Sequence, residues 1–221
     1  MHSNGTPPRQ RELAERLKTF GSATLHEAQG QRGAMSPAIK PLDPTLRLAG
    51  PAFTVEAKPG DNLVIHYALT LAKPGDVLVV DSKAYLGAGP WGDILTLAAM
   101  ERGIAGLVID GAVRDSDSIL EMGFPVFSRG LCITAAQKNQ PGRVNVPIVC
   151  GGVGLKPGDW VMGDRDGLVV IPREDVEAAI ACAERRERAE GALRLALRQG
   201  QSTVEVLGLE EPLARIGLPH S

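Results

Sequence analysis

Apolar residues fall into two kinds of run along this chain: helical spacings of three and four, and short unbroken blocks. Leu13, Leu17 and Phe20 stand at i, i+4 and i+7 and predict one helix face within residues 9–30. Gly21 interrupts that pattern, and Ser22 or Thr24 suits the cap of a short second helix over 25–28. Pro37, Pro41 and Pro44 break the next stretch into loop. Further on, the pattern predicts helices over 62–69, 93–102 and 116–122, the last two closed by Gly103 and Gly123. Strands are predicted over 77–81, 106–110, 125–128, 144–149, 160–164 and 167–172. Several of these strands are apolar without alternation, as expected where both faces of a sheet are covered. A long charged helix over 173–198, ended by Gly200, completes an α/β layered domain.

The tetrapeptide Lys-Pro-Gly-Asp occurs at 58–61, 73–76 and 156–159. Proline presets the first corner of a turn and glycine accepts positive φ at the second, so each copy predicts a type II turn. The segment 184–188 reads as a solvated helix face held by i,i+4 ion pairs. Leu207, Leu209, Leu213 and Ile216 make the last stretch apolar enough to pack on something, such as a neighbouring subunit.

Composition narrows the function. Of 221 residues, 43% are apolar and 23% charged, the balance of a globular protein. A net charge of −2 and an aromatic share of 4% support neither phosphate neutralisation nor base stacking, so no nucleic-acid partner is expected. No apolar run is long enough to span a bilayer, and residues 1–8 lack the plan of a signal peptide and read as a frayed tail. Cys132, Cys150 and Cys182 are too scattered for a zinc site and read as inert thiols of a reducing cytoplasm.

The candidate chemistry lies mid-chain. Gly92-Asp93-Ile94-Leu95 reads as a glycine-rich loop entering a helix, and the apolar strand at 106–110 runs on into Arg114-Asp115. Twenty residues separate Asp93 from Arg114, room for one helix, one turn and one strand, a path that returns the chain to the same edge of a sheet. Free N–H groups at the helix start favour an anion, and Gly92 permits close approach. Two carboxylates and a guanidinium there suit a divalent cation beside an anionic oxo acid. The loop matches neither a phosphate-binding loop nor a dinucleotide fingerprint. His26 and Glu27 read as a helix face packed on the body, with a role across a subunit boundary as the alternative. His66 reads as structural.

The pattern Gly-Asp, twenty residues, Arg-Asp resembles that of the class II pyruvate aldolases acting on 4-hydroxy-4-methyl-2-oxoglutarate and 4-carboxy-4-hydroxy-2-oxoadipate. These share a fold with the regulator of ribonuclease E activity A. The likeness covers roughly residues 20–190 and includes the segments 24–30, 74–81, 111–115, 123–127, 144–148 and 157–159. It implies an RraA-like αββα sandwich of the swivelling β/β/α type, one domain over 9–200 with flanking terminal helices, and a tail over 201–221. It also implies a homotrimer or dimer of trimers. Asp115 would bind Mg²⁺ or Mn²⁺, Arg114 would hold the oxo and carboxylate oxygens of a pyruvyl group, and the N–H groups of Ile94 and Leu95 would cradle the carboxylate. Asp93 would orient a water on the metal. The implied reaction is retro-aldol cleavage of a 4-hydroxy-2-oxo acid to pyruvate, with oxaloacetate decarboxylation alongside. The loop 84–91 departs from the acidic loop of the oxoadipate branch, which leaves the distal substrate group open. The alternative is a protein-binding regulator, a branch that lacks the acid after the arginine.

Overall fold

The computed structural model describes residues 5–218; residues 1–4 of the expected tail and 219–221 lie outside the described residues. Helix α1 (Pro8–Lys18) starts at a proline, which suits a first turn that needs no N–H. Helix α2 (Ser22–Ala28) has Gly21 as its N-cap rather than Ser22 or Thr24, because the Ser22 side chain is used elsewhere. Then come β1 (Lys40–Pro41), β2 (Leu48–Glu56), α3 (Leu63–Leu71), β3 (Val77–Tyr85), α4 (Asp93–Glu101), β4 (Gly106–Val113), α5 (Ser116–Met122) and β5 (Val126–Ser128). Short strands β6 (Gly130–Leu131), β7 (Arg143–Val144), β8 (Ile148–Cys150) and β9 (Val153–Leu155) precede β10 (Trp160–Gly163) and β11 (Leu168–Ile171). A 3-10 turn at Arg173–Asp175 leads into α6 (Val176–Arg198), followed by α7 (Thr203–Leu207) and α8 (Glu210–Arg215).

Two elements depart from the expectation. β2 is hidden in the sequence behind the proline-rich loop, yet it is the strand that joins the parallel and antiparallel parts of the sheet. The single strand expected over 144–149 is split into β7 and β8, since Pro147 cannot donate to a ladder and Asn145 takes positive φ.

The sheet runs β1-β5-β4-β3-β2-β10-β11. The four strands β2 to β5 are parallel neighbours, each joined to the next by a helix. β2 changes partner along its length: Leu48–Pro51 pairs antiparallel with β10, and Ala52–Glu56 pairs parallel with β3, with β7 antiparallel to Val55 and Glu56. The sheet therefore curls about this strand and forms two facing layers. Along β3, Val77 and Val79 belong to the core between the layers, while Leu78 and Val80 pack under α3 and α4. In β11, Leu168 and Val170 face that inner core, and Val169 and Ile171 pack against α1, α2 and α6. Each strand is apolar on both faces because a layer covers each one, giving the αββα sandwich.

All three Lys-Pro-Gly-Asp copies turn with glycine at positive φ, +74 at Gly60 and +86 at Gly75 and Gly158. In two of them the aspartate closes the turn on itself: Asp76 accepts from Lys73 N at 2.8 Å and Asp159 from Lys156 N at 2.7 Å.

A buried carboxylate ties the two ends of the domain. Asp164 accepts from Ser22 N at 2.8 Å and Ser22 Oγ at 2.7 Å, and from Asp166 N at 3.0 Å. Burial raises its pKa, but these donors outweigh burial and hold it below the ordinary value. Asp164→Ala is expected to cost about 3 kcal/mol, since several buried donors lose a charged acceptor, read as a lower urea midpoint at unchanged slope. The contribution of this carboxylate is complete above the ordinary carboxylate value of 3.8 and is lost on further acidification.

The distal half of α6 carries i,i+4 pairs as expected, Arg194 with Glu190 at 2.7 Å among them. Arg186 also reaches Glu27, and Arg16 meets Glu184 at 2.8 Å, so this helix is tied to α2 and α1. Leu207, Leu209 and Ile216 are exposed in the single chain.

Candidate active site

Parallel strands present their carboxyl ends along one edge, where ligands of open α/β sheets bind. The segment after β3 leads to Gly92 and the start of α4; Arg114 and Asp115 come directly after the last residue of β4. Trp91 holds the approach. It is fully buried, its ring stacks on Phe124 with centroids 6.3 Å apart, and its Nε1 donates to Thr96 Oγ1 at 2.7 Å. Thr96 Oγ1 in turn donates to Gly92 O at 2.9 Å, and Arg114 N donates to Trp91 O at 2.9 Å. The loop entering α4 and the end of β4 are thus joined by backbone as well as side chain.

On that frame the charged groups converge. Asp115 Oδ2 lies 3.3 Å from Arg114 Nε and accepts from Asp93 N at 3.3 Å. Asp115 takes φ 55, in the left-handed region, at the junction where β4 gives way to α5. Aspartate is among the few side-chain-bearing residues that tolerate this region, and such strain gathers at functional sites. Gly92 is necessary for the approach: a Cβ there would stand 2.2 Å from Asp115 Oδ2 and 3.2 Å from Arg114 Nε.

The expected residues Gly92, Asp93, Ile94, Leu95 and Arg114 all line one cavity of about 250 Å³. Ile94 N differs from the expected cradle: it donates to Asp93 Oδ1 at 2.7 Å, so a ligand carboxylate would compete with that aspartate for it. Two larger hollows, about 660 and 730 Å³, lie elsewhere and include neither Arg114 nor the start of α4.

Three further polar residues line the same cavity: Asn62, His66 and Lys138. His66, expected to be structural, has a place on this cavity wall. The placement of all three stems from the first Lys-Pro-Gly-Asp copy. Its Asp61 is buried; Oδ1 accepts from Leu63 N at 2.9 Å, and Oδ2 from Asn139 N at 2.8 Å and Gln140 N at 3.0 Å. One carboxylate thus steadies the start of α3, which carries Asn62 and His66, and the loop that carries Lys138. Burial raises the Asp61 pKa, but these backbone donors and the Lys138 charge bring it below its ordinary value. His26 and Glu27 are not part of this cavity: His26 Nδ1 lies 3.0 Å from Arg32 O, and Glu27 pairs with Arg186.

Among the described residues no cluster of three or more His, Cys, Asp or Glu could hold a metal by itself. A hard cation such as Mg²⁺ keeps several waters and takes one or two protein carboxylates. Asp115, about one-third exposed beside the cavity, is the carboxylate that could serve as such a ligand.

Residues 19–170 match the family model for RraA-like proteins, described as Aldolase/RraA. The chain belongs to the RraA-like family. A relative from Halalkalibacterium halodurans named "Putative 4-hydroxy-4-methyl-2-oxoglutarate aldolase" is 38% identical over 176 residues, spanning 80% of this RraA-like chain and 84% of the relative. Among solved structures, an uncharacterized protein from Pseudomonas syringae superposes with TM-score 0.78 at 29% identity, covering 89% of this chain and 96% of that one. The RNA-processing inhibitor RraA from Thermus thermophilis superposes with TM-score 0.64 at 29% identity, covering 69% and 92%. No described helix is long and apolar enough to cross a membrane.

Proposed function

We propose that this RraA-like protein is a divalent-metal-dependent lyase that cleaves a 4-hydroxy-2-oxo acid, of the 4-hydroxy-4-methyl-2-oxoglutarate kind, to pyruvate and a second oxo acid. The observation that carries the reading is that Arg114 and the start of α4 line one small cavity, with Asp115 against both of them at its margin. Retro-aldol cleavage leaves a pyruvate enolate, and its negative charge must be stabilised as it develops. The Arg114 guanidinium offers a planar fork for the oxo and carboxylate oxygens. The start of α4 favours the carboxylate, which would take Ile94 N in competition with Asp93 Oδ1. Lys138, on the same cavity, suits a second carboxylate and so a dicarboxylic substrate. Asp115 would hold Mg²⁺ or Mn²⁺, with Asp93 beside it. When bound, the cation supplies Lewis-acid stabilisation of the enolate oxygen. Oxaloacetate decarboxylation yields the same enolate and is proposed as a second activity. We further propose a homotrimer or dimer of trimers, in which the exposed leucines beyond residue 201 would find cover.

The test is the purified protein with Mn²⁺ and either oxaloacetate or 4-hydroxy-4-methyl-2-oxoglutarate, with pyruvate release as the readout. Pyruvate formation that stops on chelation is the expected result. No metal-dependent turnover of either substrate would sink the proposal and favour a protein-binding regulator, the Thermus structure being named an RNA-processing inhibitor. Arg114→Lys is expected to lower turnover about 10- to 100-fold, because a point charge does not replace a bidentate fork; wild-type kinetics in that variant would remove the assigned role.

A further inference from the structure

Two of the three Lys-Pro-Gly-Asp turns have no part in the site described above, and both grip the middle of β2. A Cβ on Gly50 would stand 2.5 Å from Gly75 O of the second turn. In the third, Gly158 N donates to Ala52 O at 2.9 Å, and Ala52 N donates to Asp159 O at 2.7 Å. Here, between Pro51 and Ala52, β2 changes partner. A cavity of about 730 Å³ opens at this place, with Lys73 of one turn and Gly158 of the other in its lining. That volume falls within the range of about 300–1,000 Å³ usual for small-molecule sites. Pro51 and Phe53, two apart and so on one face of β2, line it together with Leu71 and Pro157. The first residues of α1 and of α6 supply another wall, and both lie outside residues 19–170, which match the family model. The cavity shares no lining residue with the one at Arg114. The two stand at opposite ends of β3: Asp76, just before the strand, lines the first, and Gly89, four residues beyond it, lines the second.

The charges of this lining do not cancel. Glu177 is paired with Arg9, and Asp76 accepts from Lys73 N at 2.8 Å within its own turn. Lys73 and Arg173 form no ion pair among the described residues, although the Lys73 charge partly offsets the rise that burial gives the Asp76 pKa. Both cations are exposed, as is Leu71 at 44%, and Phe53 is half-buried, so cationic and apolar surface are both open to a ligand. Arg173 lies across the third turn: a Cβ on Gly158 would stand 3.6 Å from Arg173 Cδ and 3.8 Å from its Nη1. Unpaired guanidinium and ammonium groups beside apolar side chains call for an anion that carries an apolar body.

We propose that this cavity is a second binding site, for an organic acid whose anionic end is held by Lys73 and Arg173 and whose aromatic or aliphatic body lies on Phe53, Leu71 and Pro157. The site is separate from the reaction cavity and does not depend on the lyase reading. Inorganic anions lack the body, and neutral analogues lack the charge, so each falls short of what the lining offers.

The test is isothermal titration of the full chain with 4-phenylbutyrate, with 4-phenylbutanol, acetate and inorganic phosphate as comparison probes. Saturable binding of 4-phenylbutyrate is expected, at least ~10-fold tighter than that of the other three, since a charge-assisted contact contributes about that factor. In the double variant Lys73→Gln with Arg173→Gln, affinity is expected to fall ~10-fold or more. Both side chains are exposed, so the thermal midpoint without ligand should stay near that of the wild type. Leu71→Glu, which sets a carboxylate on the rim, should weaken binding likewise. Arg114→Ala should bind as the wild type does. No binding of 4-phenylbutyrate would overturn the proposal, as would affinity kept in both cavity variants. Equal binding of phosphate or 4-phenylbutanol would also overturn it. Loss of binding confined to Arg114→Ala would place the acid in the reaction cavity instead.

Discussion

Asp115→Ala is expected to lower turnover by at least ~10³-fold, the several kcal/mol attributed to a Lewis-acid cation, and to erase its dependence on added Mn²⁺. The cause is electrostatic. In this RraA-like chain Asp115 lies beside the Arg114 guanidinium and the backbone N–H of Asp93, where an anion is already favoured. Bringing a divalent ion beside Arg114 is favourable only while a carboxylate offsets the two positive charges. Alanine removes the offset and also adds backbone strain, since φ at this position is 55. Asp115→Asn separates these effects, because asparagine tolerates the left-handed region and carries no charge. Both variants should lose the Mn²⁺ response, and only the alanine variant should lose stability. Thermal unfolding gives a readout apart from catalysis: Mn²⁺ should raise the wild-type midpoint by linkage and leave both variants unmoved. A retained Mn²⁺ response in either variant would refute the assignment.

Gly92→Ala is expected to lower turnover ~10²-fold or more while leaving the thermal midpoint near that of the wild type. Gly92 has φ −153 and ψ −163, extended backbone open to any residue, so alanine adds no backbone strain. Its Cβ would instead fall 2.2 Å from Asp115 Oδ2 and 3.2 Å from Arg114 Cγ and Nε. Both neighbours are side-chain atoms that turn aside at little cost to the fold. Turning aside, however, moves the carboxylate and guanidinium off the cavity, and a misplacement of about 1 Å can cost about 10²-fold in rate. Unaltered activity in this variant would show that Asp115 does its work from another position. Loss of activity together with a large fall in midpoint would make Gly92 a folding residue instead.

Much of the site is legible without the fold, for a local reason. Gly92-Asp93 announces a helix start and Arg114-Asp115 the end of an apolar strand; both are features of adjacent residues. The length between them implies a helix-and-strand return, and the parallel pairing of β3 with β4 places both at the same edge. The polar wall is not legible. Asn62 and His66 sit in a helix whose pattern reports only its buried side, and Lys138 lies in a loop with no periodicity at all. Their partnership depends on Asp61 binding N–H groups nearly eighty positions away. A Lys-Pro-Gly-Asp copy signals a turn, yet nothing in those four residues says that one of the three carboxylates will reach across the domain.

The sequence by itself determined the turns, most helix bounds, the α/β alternation and the Gly92-Asp93 and Arg114-Asp115 pairs, because each is set by hydrogen bonds and burial patterns within a few residues. Only the tertiary structure decided that β2 joins the two parts of the sheet and that the sheet curls about it. It likewise decided that Asn62, His66 and Lys138 close the far side of the cavity. Strand pairing and buried side-chain bonds join distant segments, and their free energy comes from neighbours that a linear pattern does not name.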